Sequence, residues 1–170
     1  MSEVVNTSTG TTGGILSDQI KMYEAALTSQ SMELTKANIK ALFPASSGSQ
    51  VQLKQLQAIP SLGGSTNNID VTCLEDTAHR YIKGLKDYGD SIDFTFLYDN
   101  TPSTGNYAVL DALDKDTIYA FQIKFKDGES FYFAGKPSVA IDDIGVDSAI
   151  TFTFSVALQS EIFYSGLSEN

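Results

Sequence analysis

The sequence lacks tryptophan and has only one cysteine, Cys73, and one histidine, His79, among its 170 residues. A single cysteine excludes an intramolecular disulfide framework. One cysteine and one histidine also cannot supply the four ligands of a usual zinc site. Cys73 falls on the same face as Ile69 and Val71 in what reads as a strand, so we expect it to be a small buried core residue.

Long apolar runs are absent as well. No stretch is long enough to span a membrane, and the first residues lack the basic-then-apolar pattern of a secretion signal. We therefore expect no membrane partner. The protein should stay in the cytoplasm where it is made, or be built into a particle there.

Basic residues are scarce, with 11 Lys and Arg against 21 Asp and Glu and a formal charge of −10. This balance argues against a nucleic-acid-binding groove, which needs clustered cations. Two explanations stay open at this point. The acidity serves solubility, or DNA has to pass close to the protein without binding.

Residue patterns that carry catalysis or bind cofactors are missing. There is no Gly-x-Ser-x-Gly elbow, and neither Gly13-Gly14 nor Gly63-Gly64 is followed by the Lys-Ser/Thr of a phosphate loop. His79 falls on a predicted turn and leaves Cys73 without a supported basic partner. The carboxylates cluster at turns and lack EF-hand spacing. We predict no catalytic residue, no cofactor and no metal.

Aromatic residues are plentiful, with ten Phe and eight Tyr, and most lie in alternating patterns typical of strands. Asp127-Gly128 predicts a tight hairpin turn. Tyr107, Leu110 and Leu113 share one side of a predicted helix over 106–113. A shorter helix over 36–43 has Thr35 as its cap. Strands are predicted at 51–56, 69–74, 91–98, 119–125, 130–134 and 150–158. Gly135-Lys136-Pro137 interrupts the fifth, residues 141–147 form a polar connection, and Ile150 faces inward in the last.

The fold class is therefore mainly β, as a β-sandwich or partly closed barrel with one flanking α-helix and extended arms and loops. Residues 1–14, rich in Ser, Thr and Gly, predict a flexible N-terminal arm. Residues 15–160 form the single predicted domain and 161–170 a C-terminal tail. Residues 15–43 are ambiguous, because Ile20, Tyr23 and Leu27 have helical spacing whereas Gly14-Ile15-Leu16 suits the start of a strand.

Four segments in order carry a family resemblance. Leu56–Gly64 holds Ile-Pro-Ser-Leu-Gly-Gly, and Asn68–Asp90 holds Ile-Asp-Val-Thr and then Arg-Tyr-Ile-Lys-Gly-Leu-Lys-Asp-Tyr-Gly-Asp. Phe94–Tyr98 and the closing strand over 148–156 follow. Together they resemble the major tail tube proteins of long-tailed bacteriophages, which are related in fold to the tubes of injection and secretion machines. The resemblance covers most of residues 50–160.

The resemblance implies a structural virion protein without catalysis. Six copies would form a ring, and the rings would stack into a tail tube through which DNA leaves the capsid without specific binding. Implied partners are other copies of the chain and the tape measure, tail terminator and distal tail proteins. The acidic balance then has a purpose, because a negative lumen repels phosphates. An extended loop would bridge rings, and the candidates are residues 28–50 or the 60–69 connection.

Gly84 and Gly89 in the Asn68–Asp90 run predict turns before the next strand. Mixed charges in the same run are candidates for contacts between subunits. Such charges set register across an interface when they pair between copies. The alternative is a solvated surface held by local ion pairs. The candidate contact residues are Arg80, Lys83, Lys86, Asp87 and Asp90.

Two other functions compete with a long-tail tube. One is the inner tube protein of a contractile tail or secretion machine, which the sequence barely separates from the first. The other is a non-catalytic carbohydrate-binding β-sandwich module. The absence of tryptophan weighs against that module, because such modules usually present exposed aromatic platforms.

Overall fold

Eight of the strands belong to one curled sheet in the computed structural model, which describes residues 20–44 and 50–166. The predicted N-terminal arm, residues 1–14, lies outside the described residues. The elements are β1 (Ile20–Ala26), α1 (Lys36–Ala41), β2 (Val51–Leu53), β3 (Leu56–Ala58), β4 (Ser65–Asp70), β5 (Tyr81–Asp87), β6 (Ser91–Leu97), α2 (Asn106–Asp111), β7 (Tyr119–Phe125), β8 (Ser130–Ile141), β9 (Thr151–Leu158) and β10 (Phe163–Ser165).

The sheet nearly closes on itself. Its order is β2-β1-β7-β8-β9-β6-β3, with β10 paired to β8. The two end strands, β2 and β3, are separated in sequence by Lys54 and Gln55 alone. Gln55 has φ of 62°, in the left-handed region, and turns the chain from one end of the sheet to the other. Leu53 and Leu56 are three residues apart and would face opposite ways in one continuous strand. Both are buried because the chain turns this corner between them.

Six phenylalanines fill the inside of the curl and are fully buried. Their rings stack or meet edge to face, with centroids 5.5 Å apart for Phe96 and Phe152 and 5.5 Å for Phe121 and Phe154. Such pairs add to the stabilisation from burial alone. The six are Phe94, Phe96, Phe121, Phe133, Phe152 and Phe154.

A second core lies on the outer face of the sheet under α1. It joins Ile39 and Phe43 to Ala25, Ala120 and Tyr132. The hydroxyl of Thr35 caps α1 by accepting a hydrogen bond from the N–H of Asn38 at 3.3 Å, as predicted. Leu110 of α2 is buried, and Tyr107 and Leu113 pack against the same inner core, which confirms the predicted stripe. Leu113 lies just past the end of α2 at Asp111.

The mainly β class is confirmed, with a curled sheet, a second small sheet and two short helices in the described chain. The helical spacing of Ile20, Tyr23 and Leu27 was misleading, because residues 20–26 form β1. Both faces of β1 are covered, so its apolar residues do not alternate simply. Part of the predicted C-terminal tail, Phe163–Ser165, pairs with β8 as β10.

Strand β8 continues through the Gly135-Lys136-Pro137 segment, where the sequence predicted an interruption. Gly135 pairs with Tyr119 of β7 on one side and with Leu158 of β9 on the other. Beyond Gly135, β9 is the one strand neighbour of β8 in the described sheet. Pro137 is tolerated there because the other side of the strand needs no N–H donor.

Hydrogen bonds of Asn106 connect the corner at Lys54 and Gln55 to the start of α2. The side chain is buried, and its Nδ2 donates to the carbonyl oxygens of Lys54 at 3.0 Å and Leu97 at 2.7 Å. Its Oδ1 accepts from the N–H groups of Asp99 at 3.1 Å and Tyr107 at 2.7 Å. The amide thereby links the two ends of the sheet to the start of the helix.

Glu24 is a buried acid on β1, between Val51 of β2 and Phe121 of β7. None of the side-chain hydrogen bonds or ion pairs among the described residues includes it. Burial raises its pKa above the usual value of 4.5. The folded protein therefore holds this proton more tightly than the unfolded chain does. Stability should fall as pH rises from about 4.5 through the raised pKa.

We expect Glu24→Gln to melt at a higher temperature than the wild type at pH 7. The difference should shrink at pH 4, where the wild-type carboxyl is protonated. Thermal unfolding at both pH values measures it, and exposed Glu33→Gln serves as the control. Equal melting temperatures for Glu24→Gln and wild type at pH 7 would contradict the expectation.

Candidate assembly interface

A hairpin arm stands apart from both cores. The arm comprises residues 65–87, namely β4, the 71–80 loop and β5, and its two strands pair as a separate two-stranded sheet. None of its residues belongs to either core cluster. A two-stranded hairpin is marginal in water by itself, so this arm needs support from elsewhere.

Hydrogen bonds inside the loop hold the far end of the arm. The carboxylate of Asp70 accepts from the N–H of Thr72 at 2.9 Å and also from the Thr72 hydroxyl. These bonds, the hydroxyl one foremost, hold the pKa of Asp70 below its usual value. The N–H of Cys73 donates to Asp76 at 2.8 Å, and Arg80 forms an ion pair with Asp76 at 3.6 Å.

Two sequence predictions about this segment are wrong. Cys73 is exposed and lies in the loop, because β4 ends at Asp70 and the Asp70–Thr72 hydrogen bonds turn the chain away. Gly84 marks no turn and lies in the middle of β5. A Cβ at Gly84 would lie 2.9 Å from the carbonyl oxygen of Asn67, so the close approach of β4 requires glycine.

A β-bulge gives the arm two different faces. Thr66 pairs with Lys86 and Asn68 with Lys83, so β5 has one more residue than β4 across this interval. Thr66 and Asn68 share a face, and directly opposite residues point the same way. Lys83 and Lys86 therefore lie on one face. Ile69 and Ile82 pair on the other face, and both are about half exposed.

The five predicted contact residues are all exposed, and all lie on or beside the arm. Arg80 already has Asp76 as a partner. Lys83 and Lys86 have no carboxylate within ion-pair distance among the residues that the structure describes. Asp87 accepts from the N–H of Gly89 at 2.9 Å in the turn at the base of the arm. Asp90 follows that turn, and its carbonyl oxygen accepts from Leu158 at 3.2 Å.

A second exposed surface was missed by the sequence reasoning. The tip, residues 141–150, runs from the last residue of β8 to the residue before β9. Residues 141–147 were predicted to be a polar connection, and Ile150 was predicted to face inward in the last strand. Asp142 accepts from the hydroxyls of Thr151 at 2.8 Å and Thr153 at 2.7 Å. The apolar side chains of the tip are nevertheless exposed, and they are Ile141, Ile144, Val146 and Ile150. The number of large aliphatic residues in so short a connection was the feature of the sequence that could have predicted this surface.

A cavity of about 580 Å³ lies on the side of the sheet that carries α1. Its lining includes Tyr23, Lys40, Gln122, Lys124 and Tyr132 and contains no described carboxylate. Over residues 20–44 and 50–166, no group of three or more His, Cys, Asp or Glu is arranged to hold a metal. No helix in this part of the chain is long and apolar enough to cross a membrane.

Comparison with known families settles what kind of protein has this arm and tip. The model of the phage tail tube protein family, TTP, matches residues 16–165. This chain belongs to that family. The match runs across the curled sheet, the arm and the tip, so all three are parts of a tail tube domain. The resemblance predicted from four segments is confirmed, and the protein is a structural component of a phage tail tube.

A solved tail structure shares the fold of this tail tube protein. A chain from "Tail of empty GTA particle computed with helical refinement, C6 symmetry" aligns with a TM-score of 0.55 at 13% identity, over 88% of this chain and 96% of that one. A chain from the 6-fold symmetrised baseplate of the anti-feeding prophage aligns with a TM-score of 0.47 at 9% identity, over 88% and 93%. No curated protein sequence matches significantly.

Proposed function

We propose that six copies of this tail tube protein form a ring, that the rings stack into a tube, and that the arm joins neighbouring copies. The observation that carries the proposal is the arm itself. It lies outside both cores and exposes Ile69, Leu74, Tyr81, Ile82 and Leu85, which no core within residues 20–44 and 50–166 covers and which suit contact with a partner. Six-fold symmetry is printed for the GTA tail, whose chain shares the fold.

The charge of the chain suits a conduit for DNA. A formal charge of −10 gives the tube wall a negative potential, which repels phosphates and lets DNA slide. On this proposal the protein performs no catalysis and works only by assembly. Its partners beyond its own copies are the tape measure, tail terminator and distal tail proteins, and it assembles in the host cytoplasm before it becomes part of the virion.

The arm residues have different roles in the proposed contact between copies. Lys83 and Lys86 present cations on one face, and Ile69 and Ile82 present apolar surface on the other. Arg80, paired with Asp76, keeps the loop in shape. Asp87 and Asp90 flank the turn at the base and set the direction in which the arm leaves the sheet. The bridge between copies thus includes the 60–69 connection as one strand of the arm.

Removing the arm should abolish assembly and leave the fold intact. Ser65 and Asp87 are paired neighbours, so a short Gly-Ser linker can replace residues 66–86. We expect wild-type protein at high concentration to form rings and tubes in negative-stain electron microscopy. The armless variant should stay monomeric in analytical ultracentrifugation with nearly unchanged thermal unfolding, because the arm adds nothing to either core.

Lys115→Ala, at an exposed position away from the arm, is the matched control and should assemble like wild type. Tubes formed by the armless variant would show that the arm is not the joint. Wild-type protein that stays monomeric at every concentration and salt would overturn the proposed assembly itself.

A further inference from the structure

We infer that the arm of one copy docks on the tip of a second copy. This inference rests on the proposed assembly and names the surface that receives the arm. Exposed large hydrophobic side chains are concentrated on these two surfaces of the described chain. Of eleven such residues, five lie on the arm and four on the tip, and the remaining two are Val51 and Tyr164. Exposed apolar patches of this kind mark interaction sites.

The two surfaces have opposite free charges. Lys83 and Lys86 on the arm have no anionic partner among the described residues. On the tip, Asp143 and Asp147 are exposed and are likewise unpaired within residues 20–44 and 50–166. The sequence contains no Lys or Arg after Lys136, so the segments next to the tip along the chain from residue 137 onward carry no cation. Tyr81 is exposed on the same face as Lys83, two residues away along β5, so the cations border apolar surface. Complementary charges beside apolar surface favour a specific contact over a merely adhesive one.

Strand β6 places the arm and the tip at opposite ends of the molecule. The arm comes just before Ser91, which pairs with Ala157 at one end of the β6–β9 ladder. The tip comes just before Thr151, which pairs with Leu97 at the other end. Seven residues of strand separate the two ends by roughly 20 Å. The arm itself has a strand of similar length, so its far end extends well past its base.

The arm and the tip are different surfaces at opposite ends, so copies that point the same way can join arm to tip in series. Joined in this way, the contact is head to tail and leaves one free arm and one free tip after each addition. Such contacts either close into a ring or continue as a filament. The tip also extends the inner core, because Ile141 pairs with the fully buried Phe152. A docked arm would therefore cover the open end of the partner's core.

Charge exchange tests this pairing. We expect Lys83→Glu with Lys86→Glu to raise the protein concentration needed for tube assembly at least about tenfold, because two attractive pairs become repulsive. Adding Asp143→Lys and Asp147→Lys to the same chain should restore assembly, since every copy then carries the exchanged pairs. Lys124→Glu with Lys126→Glu is the control, because it changes two exposed cations on another part of the molecule. Any loss of assembly that it causes should not be reversed by the two tip substitutions.

Cross-linking provides a second readout that does not depend on charge. In a Cys73→Ser background, Leu85→Cys and Val146→Cys in one chain should give a ladder of covalent oligomers with a short bismaleimide. Either cysteine alone should give at most dimers. Wild-type tubes combined with no ladder and no charge rescue would overturn the arm-to-tip contact and leave the proposed assembly standing. Absence of wild-type tubes would overturn the assembly itself.

Discussion

Gly135→Ala is expected to lower the free energy of unfolding by about 3 kcal/mol, the upper part of the range for overpacking a core. A Cβ at residue 135 would lie 2.4 Å from the carbonyl oxygen of Ala157 and 2.6 Å from Cγ1 of Val156. The first is a backbone atom of β9 and cannot rotate away. Because Gly135 pairs with β7 and β9 at once, relief on one side would disturb the other.

Chemical denaturation below the concentration of assembly measures the effect. The melting temperature should fall by about 6–12 °C for a chain of this size. Gly63→Ala is the matched control, because an added Cβ there meets nothing within 4 Å. Its free energy of unfolding should change by less than about 0.5 kcal/mol. A Gly135→Ala variant as stable as Gly63→Ala would refute the close packing of β8 on β9.

Asn106→Asp is expected to cost about 3 kcal/mol at pH 7, although it changes one atom of the side chain. The carboxylate can still accept from the N–H groups of Asp99 and Tyr107. It cannot donate to the carbonyl oxygens of Lys54 and Leu97, and it places a negative charge against both. The loss should shrink at low pH, where protonation removes the charge and restores one donor.

The same unfolding measurement on Asn100→Asp supplies the control, since Asn100 is exposed on the loop before α2. Asn106→Ala separates the charge from the missing donors and should cost about 2 kcal/mol through unsatisfied buried carbonyl groups. If Asn106→Asp and Asn100→Asp were equally stable, the amide would not be the link between α2 and the corner of the sheet.

The strands with one covered face were predictable from sequence. Ile92, Phe94 and Phe96 alternate with polar residues, and the structure buries them as expected. Strands covered on both faces were harder to recognise. On β7, α1 covers the face that carries Ala120 and Gln122, so its pattern does not reveal the second core. Strand β8 was predicted to end at residue 134, whereas it continues to Ile141. It tolerates Pro137 because β7 no longer pairs with β8 beyond Gly135, and the sequence does not show where that pairing stops.

The arm could not be recognised from the sequence, and the reason is again physical. Strand β5 buries little, so it lacks the alternation by which strands are recognised, and Gly84 reads as a turn. Its pairing with β4 is visible only in three dimensions. The exposed position of Arg80, Lys83, Lys86, Asp87 and Asp90 agrees with the predicted mixed-charge surface. Their role in contacts between subunits stays a prediction.

The position of the arm in the chain determines how the domain carries mechanical load. The arm is inserted between β3 and β6, which are themselves paired. A pull directed along β6 would shear it against β9 and load all seven residue pairs from Ser91 to Leu97 together. Strands pulled in this geometry resist far more than strands peeled apart one bond at a time. The β6–β9 ladder would then carry the tension that the arm transmits into the domain.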